Sequence, residues 1–73
     1  MKVNLEVRDP SLNPLELLLV AEHLDKIGVL YATARRGNNC IWVTHGMVDS
    51  YYIFRDGIIA DIQIDWPIVR ILL

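Results

Sequence analysis

NPLELLLVAEHLDKIG, residues 13–28, carries the clearest helix signals in the chain, and the fold follows from setting this one helix among short strands. Asn13 is a capping residue, and Pro14 sits at the first helical position, where a missing amide hydrogen costs nothing. Glu16 stands three residues after the cap, placed to reach back to its amide, and Leu12 and Leu17 are the two ends of a hydrophobic staple. The helix is expected to run to Lys26 or Ile27, where Gly28 can take the left-handed conformation that closes it. Glu22 and Lys26 sit four apart in the favourable order. At about 100° per residue, Leu17, Val20, Ala21, Leu24 and Ile27 fall together and are assigned to the core. Leu15, Leu18 and Leu19 fall mostly on the other side, among Glu22, Asp25 and Lys26.

Upstream of the helix, Val3, Leu5 and Val7 alternate with Lys2, Asn4, Glu6 and Arg8, the period of a half-buried strand, which Asp9-Pro10-Ser11 ends. Downstream, β-prone runs are separated by turn residues, the signature of a meander. Val29 to Arg35 is one strand, and Gly37-Asn38-Asn39 turns it into Cys40 to Thr44. His45 to Ser50 reads as a looser connection before Tyr51 to Arg55. Asp56-Gly57 is the strongest hairpin signal, and after it Ile58, Ala60, Ile62 and Ile64 alternate with Ile59, Asp61, Gln63 and Asp65 to form one continuous apolar face. Trp66-Pro67 interrupts this strand, and Ile68 to Leu73 is an apolar tail, either an edge strand or a docking segment. The economical architecture is a single α+β domain over 1–73, β-α-β-β-β-β, with the helix packed across an antiparallel sheet.

With 73 residues, the chain has room for one core. At 53% hydrophobic and 22% charged it is far too apolar to stay disordered. The net charge is −2, and the Lys and Arg residues are scattered, which disfavours nucleic acid as the main ligand. A single cysteine, Cys40, and an amino terminus without a secretory pattern point to a reducing cytoplasm. The longest apolar run, Leu17 to Ala21, is far short of a membrane span.

The chemical constellations are thin. Cys40, His45 and Asp49 form the one nearby trio with a nucleophile, base and orienter, but on an extended strand Cys40 and His45 point to opposite faces. His23 has no acid at the helical spacing a metal site needs. Asp61 and Asp65 share one face of the last strand, as alternation at any solvated sheet surface produces, and no Gly-rich phosphate loop occurs. Neither an enzyme, a cofactor nor a metal is expected. The best nucleic-acid candidate is Arg35 and Arg36 with Tyr31 and Trp42, since sheet aromatics stack bases while arginines hold phosphates, although cross-strand aromatics more often pack on one another.

The apolar surplus on the helix has two readings. Leu15 packs on the amino-terminal loop while the tail covers Leu18 or Leu19, or the three form an apolar patch ringed by acids, suited to a basic and apolar partner. The first strand, if it lies at an edge, could also take up a partner strand or a second copy, so a monomer or a weak homodimer is expected. Asn4, Glu6, Arg8, Asp9, Leu15, Leu18, Leu19 and Glu22 are the candidate partner-binding residues.

The stretch MKVNLEVRDPSLNPLELLLVAEHLDK, residues 1–26, together with the brevity of the chain and its mixed α/β pattern, resembles a small phage-encoded regulator of bacterial RNA polymerase. The resemblance implies a non-enzymatic inhibitor in the host cytoplasm. It would dock on the amino-terminal region of the polymerase β′ subunit, impede promoter-complex formation with the σ factor, and promote antitermination. It assigns no role to any single residue.

Overall fold

The computed structural model describes residues 1–65, so the expectations for Trp66-Pro67 and the tail lie outside the described residues. The elements are β1 (Asn4–Val7), α1 (Pro14–Lys26), β2 (Tyr31–Gly37), β3 (Cys40–His45), β4 (Val48–Arg55) and β5 (Ile58–Asp65), the expected α+β order. The strands form one sheet in sequence order, with β1 and β5 at its edges. The sheet is mixed, not antiparallel throughout: β1 runs parallel to β2, with Leu5 opposite Ala32 and Val7 opposite Ala34. A helix of 13 residues carries the chain about 20 Å back along β1, so the next strand must start at the same end.

Both ends of α1 are closed locally. Asn13 Oδ1 accepts from Leu15 N–H at 2.8 Å. At the other end Gly28, at φ +81, donates to Asp25 O at 3.1 Å, and Val29 donates to Leu24 O at 2.9 Å, the paired bonds of a Schellman motif. Because the helix stops at Lys26, Ile27 leaves the helical spacing and is 52% exposed, which removes it from the expected core.

Three tight hairpins build the rest. Asp56 (φ +54) and Gly57 (φ +77) both take positive φ, the geometry whose twist matches paired strands. The expected loose connection at His45–Ser50 is instead a two-residue turn, Gly46-Met47, with His45 paired to Val48. Asp49 and Ser50 fit in β4 because Thr44 Oγ1 donates to Asp49 Oδ1 at 3.0 Å, and Ser50 is buried opposite Val43.

Val20, Ala21 and Leu24 pack on Ala32, Ala34, Ile41, Val43 and Tyr52, all buried. Alanines on β2 let the helix approach closely. The alternation expected along β5 is broken: pairing passes from Ile53–Asp61 to Phe54–Ile59, leaving Ala60 as the extra residue of a β-bulge. The extra residue puts Ile59 on the core side with Ile62, while Ile58 and Ala60 are exposed; Ile64 shares the side of Ile62, opposite Ser50, and is also exposed. Beneath α1, Tyr52 Oη and His23 Nδ1 share a hydrogen bond of 2.7 Å, with the rings edge-on.

Candidate docking surface

The crest of α1 turns away from the sheet. Leu15 is 73% and Leu18 44% exposed, Glu22 is exposed, and Leu19 is half-buried. The crest divides two shallow hollows. One, of about 280 Å³, lies between α1 and β1 and is lined by Met1, Leu5, Pro14, Leu17, Leu18 and Ala21. The other, of about 270 Å³, lies toward β5 and includes Leu19, Glu22, His23 and Ile59. Leu18 and Leu19 therefore serve opposite flanks of the helix, and Leu15, Leu18 and Glu22 mark the ridge.

The β1 residues expected to join this patch alternate about the sheet. Leu5 faces the helix, so Asn4 and Glu6 stand on the other side. There Glu6 accepts from Tyr31 Oη and pairs with Arg8 at 3.4 Å. Asp9 is committed elsewhere: its Oδ1 accepts from Ser11 Oγ at 2.6 Å and Ser11 N–H at 3.0 Å. These bonds, with Arg36 beside them, hold its carboxyl below the usual range. Asp9 shapes the loop before the helix, whereas Leu15, Leu18 and Glu22 remain open to a partner.

Asp25 is the residue that sequence reasoning missed. Helical spacing puts it among solvent-side positions, yet its Oδ1 accepts from Val3 N–H at 2.7 Å and Lys2 N–H at 3.0 Å, pinning the start of β1 beside the helix. A bond between residues 22 apart leaves no local signature.

The face of the sheet away from the helix holds the nucleic-acid candidates, but not as one set. Register aligns Arg35, Trp42, Tyr51 and Gln63 in a row across four strands. Trp42 stacks on Tyr51 with centroids 6.2 Å apart, and the Arg35 guanidinium lies 5.6 Å from the Trp42 ring centre. Its indole N–H is buried and has no hydrogen-bond partner among the described residues. A hollow of about 570 Å³ runs beside the row, past Gly37, Cys40 and Ile53. Arg36 points to the helix side, where Nη2 donates to Ser11 O at 2.9 Å and Nε lies 3.7 Å from Asp9 Oδ2. On the open face the acids Glu6, Asp49, Asp61 and Asp65 offset Arg8, Arg35 and Arg55, so it carries no basic field.

Cys40 and His45 lie an odd number of residues apart on β3, and so project from opposite faces. Burial pushes the Cys40 thiol up, away from the thiolate form. Among the described residues no cluster of His, Cys, Asp or Glu is arranged to hold a metal ion, and no helix is long and apolar enough to cross a membrane. Compared with protein-family models, with curated proteins and with solved structures, the chain matches none.

Proposed function

We propose that this chain is a non-catalytic transcription regulator that binds bacterial RNA polymerase through the amino-terminal region of β′, interferes with the σ factor at initiation and promotes antitermination. The observation that carries the docking part is the exposure of Leu15 and Leu18 on a helix whose opposite side already fills the core. Apolar side chains on a ridge beside an acid, Glu22, suit a partner with apolar anchors and basic flanks. The choice of polymerase as that partner comes from the resemblance of residues 1–26. The single-stranded nucleic-acid reading is the weaker one: Trp42 is packed between Arg35 and Tyr51, the Tyr31 hydroxyl is bonded to Glu6, and Arg36 faces the other way.

Capture of purified RNA polymerase on the immobilised chain tests this reading. Wild type retains core enzyme and lowers σ-dependent transcript yield, while Leu15→Ser/Leu18→Ser keeps the circular dichroism of the fold and loses both effects. No retention by wild type removes the polymerase. Unchanged retention by the double variant removes the helix ridge as the contact.

A further inference from the structure

The two edges of the sheet are built differently. On β5 the ladder is interrupted at Ala60, and Asp61 Oδ1 caps the Ile62 amide at 2.9 Å, so a bulge and a side chain blunt that edge. On β1 the amides of Asn4 and Arg8 point inward, to Leu30 O at 2.8 Å and Ala34 O at 2.9 Å. Alternation turns the peptide groups of Leu5 and Val7 outward, and among the described residues no strand lies on that side. Asp25 holds the start of this strand in place through the Lys2 and Val3 amides. The edge is thus fixed in an extended shape with donors and acceptors that only another extended backbone satisfies in register.

A strand of four residues offers few such bonds, so an occupant needs side-chain anchorage as well. The hollow between β1 and α1, with Leu5 on its sheet side and Leu18 on its helix side, lies on one face of that edge. On the opposite face stand Asn4 and the Glu6–Arg8 pair. An added strand would place alternate side chains in these two settings, apolar toward the helix and polar toward the other side.

We propose that β1 accepts an extended segment of the partner protein as an added strand, bonded to the outward peptide groups of Leu5 and Val7, with an apolar side chain seated against Leu18 in the hollow. The inference rests on the protein-docking reading above and deepens it, because it states the conformation and side-chain pattern of the bound segment.

Amide exchange measured by NMR on the ¹⁵N-labelled full chain tests it, using as probe a blocked peptide that alternates Lys with Leu and Val. At saturation, exchange at Leu5 and Val7 slows by about ten-fold or more, and the Leu18 methyl resonances shift. N-methylation of the peptide amides that face β1 abolishes binding, whereas methylation of the other alternate set leaves it intact. Absence of binding at millimolar peptide, binding without slower exchange at Leu5 and Val7, or equal binding of both methylated peptides overturns the inference. So does slowing of both amides with rising concentration of the chain alone, which puts a second copy at the edge. The two readings fail separately. If polymerase is retained while Leu5 and Val7 still exchange fast in the complex, docking stands and strand addition falls. Peptide addition by a chain that ignores polymerase upholds the edge and removes the polymerase.

Discussion

Tyr52 and His23 are joined by one hydrogen bond, 2.7 Å from phenol oxygen to Nδ1, that crosses from β4 to α1 at the margin of the core, with Tyr52 buried and His23 half-buried. Burial pushes the Tyr52 hydroxyl up to about 12, and burial, with Lys26 nearby, lowers His23 from 6.5. Each shift favours the uncharged form, which matches a neutral phenol hydrogen-bonded to a neutral imidazole.

Stability should therefore decline at both ends of the pH scale for reasons tied to this pair. Folded protein binds fewer protons at His23 than the unfolded chain does, so stability falls as pH drops below 6.5 and levels off beneath the lowered folded value. Tyr52 acts in the other direction: its contribution is complete below pH 10 and is lost as pH rises from 10 to about 12. Urea titrations across pH should show Tyr52→Phe losing about 1 kcal/mol at neutrality. The same variant should also lack the alkaline decline assigned to this phenol. A decline identical in both proteins assigns it to other groups.

The bulge at Ala60 makes adjacent isoleucines unequal. Ile58→Ser, at a 64% exposed position, should change stability by less than about 0.5 kcal/mol. Ile59→Ser, which removes a side chain packed on the core, should cost about 1–2 kcal/mol. Deletion of Ala60 restores regular pairing without rotating Ile59 or Ile62 and should leave the fold intact. The reverse ranking of Ile58 and Ile59 in chemical denaturation would contradict the observed register.

Gly37 and Cys40 are a coupled pair at the β2–β3 turn. A Cβ placed on Gly37 would lie 2.5 Å from Cys40 Sγ, so Gly37→Ala requires the thiol to rotate away. The single substitution should cost about 1–2 kcal/mol, Cys40→Ala less than about 1, and the double variant less than their sum. Strict additivity in a double-mutant cycle would show that the clash is relieved in another way.

Local chemistry was legible in the sequence and long-range chemistry was not. Asn13, Pro14 and Gly28 announce the helix because caps are satisfied within a few residues, and Asp56-Gly57 announces its hairpin for the same reason. The Gly46-Met47 turn was misread because Asp49 and Ser50 are poor strand formers by themselves, and their place depends on Thr44 and Val43 across the ladder. The phase of β5 was misread because a bulge shifts alternation by one residue without changing composition. At the candidate surface, Leu15 and Leu18 were found by helical spacing alone. The roles of Asp25, Asp9 and Arg36 arise only once distant backbone groups meet their side chains.

The parallel pairing of β1 with β2 also governs the order of assembly. Each of the other neighbouring strands is joined by a two-residue reversal, so the meander closes small loops, whereas Leu5 meets Ala32 only after the intervening helix is in place. The amino-terminal strand is thus the high-contact-order piece of the domain and is expected to register last as the chain folds. Native-state exchange would resolve it as a separate cooperative unit from the four-stranded remainder.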